Sequence, residues 1–244
     1  MRILIVEDEE ALALGLKFNF EQEGYEVLLA GDGPTALKLF QTAEPRIDLI
    51  ILDLMLPGMS GYEICSSIRA VNKLVPIIIL SARTLVEDRM HAFDVGSDQY
   101  ITKPFALPEL LNRVKNLLER YRTILTDATS TGVVNDLTAI AKYAFGNVRV
   151  DFQAFEVDVA DKKYSLTTLE MQLMRYFIEH EGEVLSRHRI LEEVWDQSAD
   201  VTTRTIDNFV LRLRKIVEPN PTRPQYIVSV RGTGYRFLGD VQPK

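Results

Sequence analysis

Leu49-Ile50-Ile51-Leu52-Asp53-Leu54-Met55-Leu56-Pro57-Gly58-Met59-Ser60-Gly61 decides how the first half of this chain folds. An apolar run without polar alternation stops on an acid, and Gly58 and Gly61 punctuate the residues after it. Such a run suits a strand buried on both faces, as in a parallel sheet covered by helices. The pattern recurs on either side at Ile3–Val6, Val27–Ala30 and Ile77–Leu80, with a weaker run at Tyr100–Thr102. Stretches of helical period come after these runs. Leu12, Leu16 and Phe20 repeat at every fourth position, and Leu107–Arg120 carries Leu110, Val114, Leu117 and Leu118. Gly24, Gly33-Pro34 and Gly96 separate the units. The expectation is five strand–helix units forming a doubly wound α/β domain over residues 1–121, around a five-stranded parallel sheet. Such folds bind ligands beyond the carboxyl ends of their strands.

At those ends stand Glu7 and Asp8, Asp53, Ser81 and Lys103. One acid after a strand ordinarily caps a helix or serves a turn. Complementary groups at four of five strand ends are harder to assign to capping. If the strands are parallel, three carboxylates, a hydroxyl and an ammonium converge on one edge of the sheet. Three adjacent carboxylates repel one another and need a cation to stay ionised together. All-oxygen ligands favour a hard ion such as Mg²⁺, which keeps several waters and pairs readily with phosphate. A carboxylate beside such an ion, with an ammonium and a hydroxyl nearby, has the means to accept a phosphoryl group.

The second half has a different pattern. Residues 122–143, rich in Thr, Ser, Ala and Asp, are expected to form a linker, with a helical turn near Leu137–Ile140. A second domain is placed at 144–241, α+β in class. Alternation in Asn147-Val148-Arg149-Val150 and Phe155-Glu156-Val157-Asp158-Val159 predicts a small antiparallel sheet. Thr167 or Thr168 offers a cap for a helix with Leu169, Leu173, Met174, Phe177 and Ile178 at core spacing. Ser186 opens a second helix, Arg187–Val194, and a third runs from about Thr202 to Val217. Pro219, Pro221 and Pro224 end it, and Tyr226–Val230 with Tyr235–Leu238 form a hairpin around Arg231-Gly232-Thr233-Gly234. In the third helix Ile206, Phe209, Val210, Leu213 and Val217 are expected inside, with Arg204, Thr205, Asn208, Arg212 and Lys215 opposite. Arg and Asn on an outward helix face match guanine and adenine edges in the major groove. An Arg beside Gly on a hairpin tip, as at Arg231, suits a narrow minor groove.

Charge separates the halves too. Across all 244 residues the net charge is −7. Residues 1–120 hold 12 Lys+Arg against 18 Asp+Glu, net −6, whereas residues 203–237 hold 7 against 2, net +5. The basic segment fits a polyanionic partner. Hydrophobic residues make up 46% and charged residues 26%, an ordinary balance for a soluble fold. No apolar run approaches the ~20 residues that span a bilayer. Residues 1–6 run straight into Glu7-Asp8-Glu9-Glu10, so neither a membrane span nor a secretory signal is expected. The single cysteine, Cys65, excludes an internal disulfide and fits a reducing compartment, the cytoplasm.

These motifs together resemble the two-component response regulators of the OmpR/PhoB family, over nearly the whole chain. The receiver signature is matched by Ile3–Asp8, by Leu52–Gly61, by Ser81-Ala82-Arg83 and by Lys103-Pro104-Phe105. The resemblance implies that Asp53 is the phosphoacceptor and that Glu7, Asp8, Asp53 and the Met55 carbonyl hold Mg²⁺. It also implies that Lys103 contacts the phosphoryl group, that Lys103–Pro104 is cis, and that Tyr100 is the switch aromatic. Phosphorylation brings about −1.5 to −2 of charge and three acceptor oxygens. Ser81 would move to bond one of them, and Tyr100 would turn inward into the vacated space. Inverting a 1:99 equilibrium takes about 5.5 kcal/mol. The family dimerises through paired charges, matched here by Arg89 with Glu109 and by Asp98 with Arg120, whereas Gln99 stands where an acid should face Arg113. Arg204-Thr205-Ile206-Asp207 and Val230–Phe237 resemble the recognition helix and wing of a winged helix-turn-helix. By that likeness Thr205 and Arg212 touch bases or phosphates, Arg231 enters the minor groove with Thr233 beside it, and Asp207 orients an Arg. Asn208, Phe209 and Leu211 depart from the family pattern, and the Trp195–Val201 loop sits where relatives meet RNA polymerase.

The leading expectation is a phosphorylation-switched, sequence-specific transcription regulator and not an enzyme. Its partners are a sensor histidine kinase, a second copy of the chain, and double-stranded DNA with tandem half-sites. The alternative is a constitutive DNA-binding regulator whose receiver serves only for dimerisation or docking. A phosphotransferase is disfavoured, since Asp53-Leu54-Met55 carries no second acid for a downstream acceptor.

Overall fold

The computed structural model describes residues 1–126, 141–195 and 203–239, without the side chains of residues 120, 122–126, 203 and 204. The chain divides into two compact units, Met1–Tyr121 and Arg122–Lys244.

The first unit alternates strictly: β1 (Arg2–Val6), α1 (Glu10–Gln22), β2 (Glu26–Ala30), α2 (Gly33–Thr42), β3 (Leu49–Asp53), α3 (Gly61–Val71), β4 (Ile77–Ser81), α4 (Val86–Asp94), β5 (Gln99–Thr102) and α5 (Leu107–Thr126). All five strands are parallel, in the order β2-β1-β3-β4-β5. The strands need no polar alternation because helices cover both faces. Ile3, Ile5, Ile51 and Ile78 pack with Leu16 and Phe20 of α1 and with Leu110 and Val114 of α5. Leu4, Val6, Ile50 and Leu52 face the other way, onto Ala36 of α2 and Ile64 and Ile68 of α3. Each of the buried Ile, Leu, Val and Phe side chains contributes about 1.5–3 kcal/mol through burial.

Local chemistry sets the helix starts. Asp32 accepts the Thr35 N–H ahead of α2. Ser60 and Glu63 form a reciprocal capping box at α3. Gly61 comes next, where a Cβ would collide with the Asp53 carbonyl oxygen, so α3 springs directly from the loop that carries Asp53. The buried cation Arg69 closes the far end of α3: it donates to the carbonyls of Gly96, Val75 and Asn72 and to Asp98 Oδ2 at 2.8 Å. Asp98 Oδ2 also accepts the Ile77 N–H at 2.8 Å, tying β4 to the entry of β5.

The second unit begins with an antiparallel meander, β6 (Lys142–Phe145), β7 (Val148–Asp151), β8 (Glu156–Val159) and β9 (Lys162–Ser165). After it come α6 (Thr168–Glu179), β10 (Leu185–Ser186), α7 (Arg187–Ile190), α8 (Thr203–Val217), β11 (Ile227–Val230) and β12 (Gly234–Phe237). The last two strands form a hairpin, and β12 pairs on its other edge with β10. Thr167 caps α6 in a capping box with Glu170. Ile206, Phe209, Val210, Leu213 and Val217 of α8 are buried as the periodicity predicts, and Trp195 packs edge-on against Phe209 at 5.0 Å. Just past α8 the nearly buried Glu218 carboxylate accepts the backbone N–H groups of Gln225, Tyr226 and Ile227. That single side chain sets the path of the proline-bearing segment into β11.

Several boundaries differ from the sequence reading. Helix α5 runs to Thr126, past residue 121, because residues 121–126 contain neither Gly nor Pro to stop it. Strand β6 starts at Lys142, inside the segment expected to be linker. The helical turn expected at Leu137–Ile140 lies outside the described residues. The helix expected over Arg187–Val194 is α-helical only to Ile190 and then takes a π-helical turn, Leu191–Trp195.

Candidate functional site

The carboxyl ends of β1, β3, β4 and β5 bring Glu7, Asp53, Ser81 and Lys103 to one edge of the sheet, as the sequence predicted. Glu7 and Asp53 are 4% and 5% exposed, and Asp8 is open to solvent. Ligand oxygens of Glu7, Asp8 and Asp53 all lie within 4.8 Å of one another. Lys103 Nζ donates to Asp53 Oδ2 at 2.5 Å and to Glu7 Oε2 at 2.8 Å. Burial pushes the Glu7 carboxyl up, only partly offset by its bond to Lys103. Burial alone would lower Lys103, but its bonds to Asp53 and Glu7 outweigh that and raise it, which keeps the ammonium charged. The Met55 N–H donates to Asp53 Oδ1 at 2.8 Å and fixes the rotamer of that carboxylate, while the Met55 side chain points to solvent. The Lys103–Pro104 bond is cis.

Beside this pocket Ser81 is fully buried, its Oγ accepting the Arg83 N–H at 3.1 Å. Tyr100 is 1% exposed, and its hydroxyl donates to the Arg83 carbonyl at 2.8 Å. The aromatic ring expected to turn inward is thus already inward, held by the loop that comes after Ser81. That loop is tied down further: Arg83 pairs with Asp88 at 2.9 Å, and the Tyr62 hydroxyl donates to the Asp88 carbonyl at 3.1 Å.

The charges expected to pair across a dimer are used differently. Asp98 is 1% exposed and engaged with Arg69, so its expected pairing with Arg120 across an interface is corrected. Glu109 accepts from Arg113 one turn along α5 at 2.6 Å, and Arg89 donates to the Thr84 carbonyl at 3.1 Å. The side chain of Arg120 lies outside the described residues.

In the second unit α8 and the hairpin offer the basic surface. Asn208 is half-buried and Lys215 exposed on the outer side of α8, while Arg231 and Thr233 are exposed at the hairpin tip. Thr205 is 4% exposed and belongs to the buried side, correcting its expected outward position; a short side chain fits against the packed neighbours where a long one would not. The Arg212 guanidinium lies over the Phe209 ring at 4.0 Å and faces Glu170 at 3.5 Å. The side chain of Arg204, and residues 196–202 of the loop expected to meet RNA polymerase, lie outside the described residues. Two contacts were not legible in the charge pattern. Arg214 spans from α8 to β11, donating to the Ile227 carbonyl and to Ser229 Oγ, and burial lowers its pKa. Asp207 accepts from Arg187 Nε at 2.8 Å and from the Tyr235 hydroxyl at 2.6 Å, clamping α7, α8 and β12 together. The sequence indicated an Arg partner for Asp207 but not which one.

A parallel α/β unit with an acid pocket, joined to a winged helix-turn-helix, defines a two-component response regulator with a DNA-binding effector domain. The family models agree: residues 3–115 match the response regulator receiver domain and residues 161–237 the C-terminal domain of transcriptional regulatory proteins. The chain belongs to the OmpR/PhoB family of response regulators. It is 37% identical over 237 residues to the sensory transduction protein RegX3 of Mycolicibacterium smegmatis, covering 97% of this chain and 99% of that one. It is 35% identical over 236 residues to the alkaline phosphatase synthesis transcriptional regulatory protein PhoP of Bacillus subtilis, covering 97% and 96%. Among solved structures it is similar to a cysteine-substituted mutant of RitR, with a TM-score of 0.71 and 26% identity over 98% of this chain and 99% of that one. No helix among the described residues is long and apolar enough to cross a membrane.

Proposed function

We propose that Asp53 accepts a phosphoryl group from the phosphohistidine of a sensor kinase and that this event regulates DNA binding by the second unit. One observation carries the reading: Lys103 bridges Asp53 and Glu7 inside a set of three acids whose oxygens lie within 4.8 Å. An Asp53 carboxylate oxygen attacks phosphorus, the bond from phosphorus to the donor breaks, and the electron pair leaves with the donor. Lys103 balances charge on the transferring oxygens, and the Met55 N–H holds the attacking carboxylate in place. Three carboxylates against one ammonium leave an excess of negative charge that a hard divalent cation satisfies. Glu7, Asp8 and Asp53, with the Met55 carbonyl, would hold Mg²⁺. Bound there, it supplies charge neutralisation at the phosphoryl oxygens.

Downstream, Ser81 and Tyr100 report the modification to the face formed by α4, β5 and α5, where Arg89, Glu109 and Arg113 lie and a second copy docks. On DNA, Arg204, Asn208 and Lys215 address the major groove, joined by Arg212 once it swings away from Glu170, while Arg231 and Thr233 address the minor groove or its phosphates, at half-sites one helical turn apart. The work is done in the cytoplasm, and residues 196–202, outside the described residues, are the segment offered to RNA polymerase.

The test is labelling by radioactive acetyl phosphate. The unmodified chain takes up label only with Mg²⁺, and Asp53→Asn takes up none. Persistent label on Asp53→Asn overturns the assignment. The inward Tyr100 also favours a second reading, a constitutive DNA binder with a passive receiver. Equal duplex affinity with and without acetyl phosphate would establish that reading instead.

A further inference from the structure

Among the described residues of the second unit, Leu211 alone is a large apolar side chain left open to solvent, at 46% exposure. It lies near the middle of α8, three residues after Asn208 and four before Lys215, so the three share one stripe of the helix. The apolar face of α8 is already spent on the core through Ile206, Phe209, Val210, Leu213 and Val217. Leu211 lies outside that core set and keeps nearly half of its surface open. Arg212, its neighbour, is turned aside onto Phe209 and toward Glu170, so it leaves the stripe open. The same unit exposes two cations, Lys215 on this helix and Arg231 at the hairpin tip.

A polyanion attracted by those cations presents mostly polar atoms to an approaching helix. The exception is the 5-methyl group of thymine, the one apolar group on the base edges of the major groove. We infer that Leu211 contacts a thymine methyl group and so sets a base preference at one position of each half-site. Asn208 and Lys215 flank it for a neighbouring base edge and a phosphate. The inference rests on the proposed DNA-binding reading and adds a specificity-determining residue to it.

The experiment uses the full chain. A duplex is first selected from a pool with a randomised core, and each thymine of the selected duplex is then replaced in turn by deoxyuridine. That replacement removes the methyl group and nothing else. One position per half-site is expected to lose affinity about fourfold, as one apolar carbon removed from water implies. Leu211→Ala binds the methylated duplex more weakly and is indifferent to deoxyuridine at that same position. Tolerance of deoxyuridine everywhere, or a fourfold loss that persists in Leu211→Ala, overturns the methyl contact while leaving DNA binding intact. Failure to enrich any duplex overturns the DNA-binding reading and this inference with it. Because deoxyuridine acts on the DNA, the result does not depend on how well the variant folds.

Discussion

Replacing Asp98 with alanine should cost the first unit about 3–5 kcal/mol, the usual penalty for breaking a buried ion pair from one side. Arg69 and Asp98 have side-chain exposures of 4% and 1%, so neither charge is screened by solvent. The change removes the carboxylate oxygen that accepts from both Arg69 Nη2 and the Ile77 N–H. A buried amide left without its acceptor accounts for about 1–3 kcal/mol of the total. The weakened hold on Arg69 accounts for the rest, moderated by the carbonyls of Gly96, Val75 and Asn72 that it still meets. Asp98→Asn keeps an acceptor oxygen in place and should cost about half as much. With a urea dependence of roughly 2 kcal/mol per molar, the alanine change lowers the midpoint by about 2 M. The two units are separable in one titration, because the chain's single tryptophan, Trp195, lies in the second. Far-ultraviolet circular dichroism follows both units and tryptophan fluorescence only the second. A loss below about 1 kcal/mol, or a shift of the fluorescence transition instead, would refute the assignment of Asp98 to the interior of the receiver.

The mirror experiment is Glu218→Ala, which strips the acceptor from three backbone N–H groups and should move the Trp195 transition down by about 2–4 kcal/mol, leaving the receiver transition in place. Alkaline pH should weaken the second unit through Tyr235, which burial, then its bond to Asp207, pushes up from 10 to about 12. A folded-state pKa above the unfolded one gives stability that is complete below about pH 10 and lost as pH rises toward about 12. The stake is on the order of 2–3 kcal/mol. Tyr235→Phe should flatten that part of the pH profile, and an unaltered profile would show that another group is responsible.

Most of the first unit was legible because its signal is redundant. Five apolar runs point to the same parallel sheet, four of them end beside a chemically distinctive residue, and the pocket follows from those four ends, whereas the order β2-β1-β3-β4-β5 comes from the structure. The misplaced side chains share one cause: periodicity identifies which residues are apolar, not which polar residues are enclosed. Asp98 looks like a surface charge until Arg69, 29 positions away, is brought beside it. Thr205 falls on the polar side of a helical wheel yet is small enough to pack. Arg212 counts toward the basic face by sequence, but Phe209 and Glu170 draw it inward. The Thr126 end of α5 was missed because composition signals where a chain ought to loosen, whereas a helix continues until something stops it.

The acceptor for the Tyr100 hydroxyl is a main-chain oxygen, that of Arg83. A carbonyl is common to all twenty amino acids, so changes of residue type at position 83 alter the charge beside the catch without deleting the catch itself. Only position 100 can lose it outright, through a phenylalanine that fills the same space and holds nothing. The latch thus depends on one side chain, that of Tyr100, and on the backbone path of the loop it grips.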